Sequence, residues 1–280
     1  KQAQNLAKKF PSVTCRILSR PEIKKLGMGC LLGVSQGSTE EPKFIIVEYV
    51  GSKKTEKPVV LIGKGITYDS GGLSLKPANY MVDMKFDMLG GATVLGAIQA
   101  AAALNIKKHI VGLIPACENM PSGSSYRPDD ILIAMNGKSV LVDNTDAEGR
   151  LILADAICYV NETYTPKVVI DLATLTGACM VALGNERSGI LGTDQALIDR
   201  LLVSSEECGE HLWQLPLGEE FLSAIKCDIA DIKNSGNVGG SGYGGASTGA
   251  AFLQFFTQNE EGETPYPWAH IDMSSCYVKE

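Results

Sequence analysis

The sequence predicts an α/β layered fold built around a largely buried β-sheet. Short stretches rich in Val, Ile and Leu alternate with longer stretches of helical spacing along most of the 280 residues. Several of the short stretches are apolar at nearly every position, which is typical of strands covered by helices on both faces. The chain shows neither an internal repeat nor a convincing linker. We therefore expect one domain.

The first part of the chain alternates between the two kinds of element. Apolar residues three and four apart predict helices, and short β-branched runs predict strands. The predicted elements are a helix at Lys1–Phe10, a strand at Val13–Leu18, a short helix at Pro21–Leu26, and strands at Phe44–Val50 and Val59–Ile62. The polar run from Gly51 to Lys57 is expected to join the last two strands as a hairpin.

The remainder continues the alternation. Met81–Leu104 has helical spacing, and its Gly90, Gly91 and Gly96 are expected to let a neighbour approach closely. Asn136–Gly137 is a strong two-residue turn signal. The predicted elements are a strand at His109–Pro115, two short strands within Ile131–Val142, a helix at Leu151–Tyr164, a strand at Lys167–Leu172, a helix at Gln195–Cys208, a glycine-rich loop at Asn234–Gly249 and a further helix that begins with Ala250–Gln258.

Charge and composition exclude some classes of partner. The net charge is −7, and the lysines are scattered, so no basic face for nucleic acid is predicted. No uninterrupted apolar run reaches the ~20 residues that span a bilayer, so no membrane partner is expected. The eight cysteines are spaced singly, and the N-terminus lacks a signal-peptide core. A cytoplasmic or similarly reducing location is therefore expected.

Histidine is scarce. The chain has only His109, His211 and His270, which are far apart in the sequence. Any metal site should therefore consist mainly of carboxylates, which suits Mg²⁺, Mn²⁺ or Zn²⁺.

Three polar segments follow predicted strands or lie beside them, where α/β sheets bind ligands. In the first, glycines flank Lys64, and Asp69 and Lys76 follow. The order of residues does not match a phosphate-binding loop. An ordinary turn with a solvated lysine remains the alternative.

The second segment contains Asp87, between Phe86 and Met88 on the predicted helix. A carboxylate on an apolar helix face must be paired or coordinated, because burying it alone costs several kcal/mol. The alternative to metal coordination is a salt bridge to a lysine. Asp83 lies on a neighbouring face, where solvation explains it.

The third segment runs from Asn144 to Arg150. If it is extended, Asp146, Glu148 and Arg150 project to one side. The alternative is a capping box in which Thr145 and Glu148 begin the following helix. Arg150 suits that alternative poorly, because a cation in the first turn opposes the helix dipole.

Together the three segments offer five candidate ligands, Lys64, Asp69, Asp87, Asp146 and Glu148. Four crowded carboxylates repel one another unless about two divalent ions neutralise them. A lysine can ligate only as the neutral amine, so the metal must displace its proton.

These segments resemble the leucine aminopeptidase family of two-metal peptidases (cytosol aminopeptidases). The family signature is matched by NTDAEGRLILADA at Asn144–Ala156, the other metal segments by GKGITYDSGGLSLKP at Gly63–Pro77 and MKFDMLGGA at Met84–Ala92, and the substrate-backbone strand by DLATLTGA at Asp171–Ala178. The resemblance extends from about Leu26 to Asp272. It implies a central mixed, largely parallel β-sheet flanked by helices.

The resemblance also implies roles for individual residues. Lys64, Asp69, Asp87 and Glu148 would form a tight metal site, and Asp69, Asp146 and Glu148 a more exchangeable one. Lys76 would contact the substrate carbonyl oxygen, and Arg150 would hold a bicarbonate that acts as general base. Met84 would line the first side-chain pocket, while Asn144, Thr174, Leu175 and Gly177 would contact the substrate backbone.

The implied enzyme is a metalloexopeptidase that removes leucine and other apolar residues from peptides with a free N-terminus. It would use two divalent ions, Zn²⁺ or Mn²⁺ with Mg²⁺ as a further candidate, and would assemble as a homo-hexamer. Residues 1–280 would be a single catalytic domain without the family's N-terminal domain and shortened at the C-terminus. A two-metal phosphoesterase and a non-catalytic or DNA-binding relative are the alternatives, and the acidic pI of about 5.1 disfavours DNA binding.

The sequence departs from the family pattern in two places. Ser274 and Ser275 stand where many members have Ala-Gly, and the 236–249 loop is long and rich in glycine. We expect this loop to be flexible.

Overall fold

A computed structural model of the protein describes residues 1–239, 242–259 and 261–274. Its helices are α1 Gln2–Lys9, α2 Arg20–Lys25, α3 Gly29–Ser35, α4 Ala78–Met81, α5 Leu89–Ala103, α6 Glu148–Thr163, α7 Gly177–Leu183, α8 Gln195–Cys208, α9 Glu219–Ser223 and α10 Gly245–Thr257. Its strands are β1 Val13–Leu18, β2 Lys43–Val50, β3 Val59–Gly63, β4 Gly65–Asp69, β5 His109–Asn119, β6 Ile131–Ile133, β7 Ser139–Leu141, β8 Val168–Ala173, β9 Ser188–Gly192, β10 Leu212–Gln214, β11 Ile232–Lys233 and β12 Trp268–Asp272.

Most of these strands form one mixed sheet, which confirms the predicted fold class. Within the described residues its order is β1-β2-β5-β3-β8-β12-β9-β10, and β4 pairs with an extension of β5. Five strands form a parallel block, namely β4, β5, β3, β8 and β12. The strand β2 lies antiparallel on one side of this block, and β9 lies antiparallel on the other. The carboxyl ends of the five parallel strands therefore lie along one edge, where α/β sheets bind ligands.

Helices cover both faces of the sheet. On β5, Val111 and Leu113 belong to the core that includes α6, whereas Ile110 and Ile114 belong to the core that includes α5. Because side chains alternate across a strand, α5 and α6 lie on opposite faces. Every residue of α6 from Glu148 to Val160 is buried, so this helix is the centre of its layer.

The link between β2 and β3 is not the hairpin that its turn residues predicted. Strand β5 lies between the two, antiparallel to β2 and parallel to β3. The prediction was wrong because turn chemistry reports that the chain reverses, and does not report which strand becomes the neighbour. Several elements were not predicted at all, namely the helices α3, α7 and α9 and the strands β4, β9, β10, β11 and β12.

The predicted helix Met81–Leu104 is broken. The chain is extended at Val82 and left-handed at Asp83, with φ of +70°, and then forms a 3₁₀ turn at Met84–Phe86 before α5 begins. Asp87 consequently lies in the turn before α5 and not on a long helix. This break also bears on membrane insertion. By length and mean hydropathy alone, residues 78–103 could cross a bilayer, although Asp83, Lys85 and Asp87 interrupt the apolar run. In the structure they form separate helices, of which α5 packs against the sheet.

Two of the three glycines assigned to close packing have that role. A Cβ on Gly90 would lie 2.0 Å from the Leu172 carbonyl oxygen, and one on Gly91 would lie 2.8 Å from a methyl of Ile114. The N-terminus of α5 thus contacts the sheet at its carboxyl edge. Gly96 has nothing within 4 Å of such a Cβ, so the prediction for it was wrong.

The C-terminal part of the glycine-rich segment is ordered as helix. Helix α10 begins at Gly245, five residues before the predicted start, and every residue from Ala246 to Leu253 is buried. Small residues allow this helix to pack closely, which their helix propensity alone does not predict. The expected flexibility of the 236–249 loop and the departure at Ser275 lie partly outside the described residues, which do not include 240, 241 and 275.

The predicted turn at Asn136–Gly137 joins β6 and β7, which pair antiparallel, and Gly137 has a φ of +82°.

One buried carboxylate of α6 binds both this hairpin and helix α3. Asp155 accepts hydrogen bonds from the backbone N–H groups of Leu31 and Met135, each at 2.8 Å. Burial raises the pKa of Asp155 to about 7, while these donors oppose the shift.

Replacing Asp155 with alanine should lower the free energy of unfolding by about 2–4 kcal/mol, because two buried N–H groups lose their acceptor. Urea denaturation followed by circular dichroism measures the change. Asp155→Asn keeps one acceptor oxygen, so its free energy of unfolding should lie between those of the wild type and Asp155→Ala. A stability of Asp155→Ala within about 0.5 kcal/mol of the wild type, the range of ordinary surface substitutions, would contradict this role.

Candidate metal centre

Five polar side chains converge at the carboxyl edge of the sheet. Lys64 is the single residue between β3 and β4, Asp69 ends β4, and Glu148 begins α6. Asp87 reaches the same place from the turn before α5, and Asp146 from the loop before α6. Residues from three separate segments, all predicted as ligands, therefore meet at one site.

The centre of the site is an acidic triad, Asp69, Asp146 and Glu148. One carboxylate oxygen from each lies within 4.8 Å of the others, a spacing suited to a cation. Asp69 and Glu148 are buried, whereas Asp146 is half-buried and closer to solvent. The triad contains no histidine, in keeping with the scarcity of this residue in the sequence.

Two lysines neutralise part of the charge. The Lys64 ammonium lies 2.8 Å from an oxygen of Asp87 and 2.8 Å from one of Glu148. The Lys76 ammonium lies 2.8 Å from Asp69 and 2.6 Å from Asp146. Four carboxylates thus face two ammonium groups, which leaves an excess of two negative charges in a buried site. Such an excess favours binding of further cations.

The pKa values of these groups reflect their crowding. Burial, reinforced by the neighbouring carboxylates, raises the pKa of Asp146 to about 7 and also raises the pKa of Glu148. Burial raises the pKa of Asp87 as well, although Lys64 opposes the shift. Burial alone would lower the pKa of Lys64 and Lys76, but the surrounding carboxylates hold both above the ordinary lysine value. Burial and crowding thus both disfavour the ionised carboxylates, and a divalent cation would offset both effects.

Two buried oxygens of the site are available to a ligand. Asp87 Oδ2 and Glu148 Oε2 have no hydrogen-bond partner among the described residues. A buried carboxylate oxygen without a partner is costly, and a cation would satisfy it. The donor set of carboxylates and one amine also suits borderline or hard divalent ions. The residues present therefore fit a metal centre.

The alternatives raised for Lys64 and Asp87 can be compared with the geometry. Lys64 is not a solvated turn residue, because only 4% of its side chain is exposed. Asp87 does form the salt bridge to a lysine that was the alternative to coordination, and that lysine is Lys64 itself. Ion pairing and metal coordination would involve the same pair of residues, since Lys64 can ligate once its proton has left.

The capping box proposed as an alternative for Thr145 and Glu148 is not formed. Helix α6 follows Ala147 without a side-chain cap. Instead the Thr145 hydroxyl donates to the Gly71 carbonyl oxygen at 2.6 Å and accepts from the Ser74 N–H at 2.7 Å. Thr145 thus joins the loop that carries Asp146 to the loop that follows Asp69.

Arg150 does not project alongside Glu148, as an extended segment would have required. Because α6 begins at Glu148, the segment is not extended there, and two residues along a helix turn the side chain by about 200°. Glu148 therefore points to Lys64, whereas Arg150 donates from Nη1 to the Asn234 carbonyl oxygen at 2.9 Å. The guanidinium is buried, which lowers the pKa of Arg150 to about 10, and its Nε has no hydrogen-bond partner among the described residues. This group fits a small anion.

The predicted substrate residues lie around the metal centre. Thr174 follows β8; its carbonyl oxygen accepts from Lys64 at 2.9 Å and its hydroxyl donates to Asp87 at 2.7 Å. The Leu175 N–H donates to Asp272 at 3.1 Å, and Gly177 is the exposed first residue of α7. Asn144 accepts from the Asp146 N–H at 2.8 Å.

Met84 lies on the 3₁₀ turn, where its carbonyl oxygen accepts from the Asp87 N–H at 3.4 Å. Its side chain is half-buried. Its role in lining the first side-chain pocket stays a prediction.

Three further residues support the site and were not predicted. Asn119, at the end of β5, donates to Asp69 and to the Thr145 carbonyl oxygen. Asn234 accepts from the N–H groups of residues 143 and 144 through its amide oxygen. Asp272, at the end of β12, accepts from Leu175 and Thr176. Position at a strand end is a signal for Asn119 and Asp272, but the sequence around Asn234 offers none.

Comparison with known proteins agrees with this geometry. The sequence model of the cytosol aminopeptidase family, catalytic domain, matches residues 1–280. A "Probable cytosol aminopeptidase" of Methylibium petroleiphilum is 49% identical over 278 residues, which cover 99% of this chain and 55% of that protein. Proteins of the same name from Histophilus somni (strain 129Pt) and Cenarchaeum symbiosum are each 48% identical, over 98% and 93% of this chain and 53% and 51% of their own lengths.

The chain thus spans about half the length of the curated relatives it matches. Both the family match over the whole chain and the identity to these relatives lead to one assignment. The chain belongs to the cytosol aminopeptidase family and corresponds to its catalytic domain.

Proposed function

We propose that this chain is the catalytic part of a metal-dependent aminopeptidase, which hydrolyses the first peptide bond of peptides with a free N-terminus. The observation that carries the proposal is the convergence of Lys64 and four carboxylates at the carboxyl edge of the sheet, with the oxygens of the acidic triad within 4.8 Å of one another. Membership of the cytosol aminopeptidase family favours a peptide substrate over the phosphate ester of a two-metal phosphoesterase.

We assign two metal positions to these residues. Lys64, Asp69, Asp87 and Glu148 would hold one ion, and Asp69, Asp146 and Glu148 the other. The unpartnered oxygens of Asp87 and Glu148 support the first position, and the more exposed Asp146 supports the second as the more exchangeable. Zn²⁺ and Mn²⁺ suit this donor set best, and Mg²⁺ is a further candidate.

The two ions, when bound, would lower the pKa of the attacking water, polarise the carbonyl of the first peptide bond and take the free α-amine of the substrate as a ligand. The side chains supply the remaining functions. Lys76, with 16% of its side chain exposed, can reach a substrate and stabilise the oxygen on which negative charge develops. Lys64 is too deeply buried for that contact.

The substrate backbone would lie along the segment from Thr174 to Gly177. Asp272 holds this segment through the Leu175 N–H, and Lys64 and Asp87 hold Thr174. The segment is therefore fixed before substrate arrives, which lowers the entropic cost of binding. Met84 would contact the first side chain, and its flexible thioether suits leucine and other apolar residues.

Arg150 would hold a bicarbonate that acts as general base for the attacking water. Its buried Nε without a hydrogen-bond partner supports an anion at this position. His270 is fully buried and His109 pairs with Glu48 at 2.8 Å, so neither is placed to serve as the base.

Arg150→Ala should slow hydrolysis by about a hundredfold or more, because general-base catalysis contributes on that scale. It should also abolish any stimulation by added bicarbonate. Steady-state rates with and without bicarbonate measure both effects, and Arg127→Ala, at an exposed arginine paired with Asp130, is the control. Unchanged bicarbonate dependence in Arg150→Ala would count against the assignment.

Hydrolysis of leucine p-nitroanilide in the presence of Mn²⁺ or Zn²⁺ tests the proposal as a whole. We expect release of p-nitroaniline that stops when the ions are removed by a chelator and returns when they are restored. N-acetylleucine p-nitroanilide should be inert, because its blocked amine cannot bind. Equal cleavage of the blocked substrate would refute an exopeptidase.

Two properties of the whole protein follow from the family and are part of the proposal. We expect a homo-hexamer in the cytoplasm, and the name of the relatives, cytosol aminopeptidase, supports the location. The excess of acidic residues over lysine and arginine, 32 against 25, supports the expectation that nucleic acid is not a partner.

A further inference from the structure

Asn119 is a fully buried amide at the carboxyl end of β5. Its side-chain NH₂ group has two hydrogens, and the structure gives it two acceptors. One is Asp69 Oδ1 at 2.8 Å, and the other is the Thr145 carbonyl oxygen at 3.0 Å. These acceptors belong to different segments: Asp69 ends β4, whereas Thr145 immediately precedes Asp146. A single amide therefore connects the two segments that supply the acidic triad.

The bond to Asp69 determines which way that carboxylate faces. Oδ1 accepts from Asn119 and from the Gly71 N–H, at 2.8 and 2.9 Å. Oδ2 is turned toward the Lys76 ammonium, at 2.8 Å. Because two protein donors occupy one oxygen, the carboxylate cannot rotate freely, and the other oxygen remains directed at the centre of the site.

The backbone of Asn119 adds a second connection to the Asp69 segment. Its carbonyl oxygen accepts from the N–H of Ser70 at 3.0 Å and from the hydroxyl of Ser70 at 2.7 Å. The amide also packs closely on Gly72, where an added Cβ would lie 2.9 Å from Asn119 Oδ1 and 3.0 Å from Thr145 Oγ1. With a φ of +65°, Gly72 is in the left-handed region that favours glycine, so the close packing and the backbone both require this residue.

We propose that Asn119 is a positioning residue of the metal centre, which sets the separation between Asp69 and the segment that carries Asp146 and Glu148. This inference rests on the proposed function, since it assumes that the triad binds divalent ions. Asp69 is shared between the two metal positions, so Asn119 should affect the affinity for both ions. Partners that orient metal ligands typically contribute 10–100-fold to metal affinity or activity.

Asn119→Leu tests the inference, because leucine keeps the size and branching of asparagine and removes both donors. The metal-free protein is titrated with Zn²⁺ or Mn²⁺ by calorimetry, and its thermal unfolding is followed without metal. We expect the titrated metal to bind about 10–100-fold more weakly at both metal positions than in the wild type. Asn119→Ser, which cannot reach both acceptors, is expected to behave in the same way and replaces the leucine variant if that fails to fold.

The matched control is Asn161→Ala. Asn161 also connects two segments, donating to the Phe256 carbonyl oxygen at 2.9 Å and accepting from the Tyr266 hydroxyl at 2.6 Å. It lies 13 residues along α6 from Glu148, about 20 Å away at 1.5 Å per residue. This variant should unfold at a lower temperature and bind both ions as the wild type does.

Three outcomes would contradict either this inference or the proposed function on which it rests. Wild-type affinity for both ions in Asn119→Leu and Asn119→Ser would overturn it. An equal loss of affinity in Asn161→Ala would also overturn it, because the effect would then come from general destabilisation. A wild-type protein that binds neither ion would instead refute the proposed function.

Discussion

Replacing Glu148 with alanine should abolish turnover and remove the tightly held ion. Glu148 is buried at the start of α6, 2.8 Å from the Lys64 ammonium, and belongs to the acidic triad. It is assigned to both metal positions, so its loss affects both ions at once. We expect hydrolysis of leucine p-nitroanilide to fall by at least about a thousandfold, because metal activation of water and carbonyl is lost together.

Metal content after gel filtration and the steady-state rate are the two measurements for this variant. Asp146→Ala should also lose activity, but it should lose only the exchangeable ion, since Asp146 is assigned to one position. Glu162→Ala is the control, because Glu162 is an exposed glutamate in the last turn of the same helix. A Glu148→Ala protein with full activity and normal metal content would show that the site has been assigned wrongly.

Lys76→Ala should lower kcat by about 10²–10³-fold while the metals stay bound. Lys76 is assigned to stabilise the developing negative oxygen, and removal of one such donor costs about this much. Metal affinity, in contrast to kcat, should not fall in this variant. Asp69 and Asp146 would lose the ammonium that lies 2.8 and 2.6 Å from them, and the more negative pair should bind cations at least as tightly as before.

Lys76→Ala is decisive because it separates an effect on kcat from an effect on metal affinity. Kinetics at saturating substrate give kcat, and calorimetric titration of the metal-free protein gives the affinities. Lys138→Ala, at an exposed lysine whose ammonium lies 3.9 Å from Asp231, should change neither quantity. If Lys76→Ala lost its metals together with its activity, the residue would be a structural support of the carboxylates and not a contact of the substrate.

The sequence predicted the central strands well for a physical reason. A strand covered on both faces must be apolar at nearly every position, as Val59–Ile62 is, and such runs are unambiguous. Strand β4 lacks this signal: GITYD is short and mixed, and it becomes a strand because β5 extends far enough to pair with it. Pairing partners of this kind are set by tertiary structure, which also explains the wrong hairpin between β2 and β3.

The candidate metal ligands were more predictable than the residues that support them. Lysine, aspartate and glutamate beside glycines and apolar residues are unusual, so Lys64, Asp87 and Glu148 could be singled out as candidates, and the family resemblance then assigned them to metal positions. Asn119 carries only the signal of its position at a strand end, and Asn234 carries none, because asparagine is common in turns for local reasons. Their importance depends on which two segments the fold brings within 3 Å of one amide, and no local pattern contains that information.

The position of Asp155 on α6 limits how this part of the chain can change. Asp155 follows Glu148 by seven residues, which is about two turns, so the two carboxylates lie on the same face of the helix. One is fixed by Lys64 and the other by Leu31 and Met135. Inserting or deleting one residue between them would rotate one carboxylate by about 100° away from its partners and shift it by about 1.5 Å along the axis. Because the residues between the two carboxylates are buried as well, the length of this segment is fixed by both sets of partners.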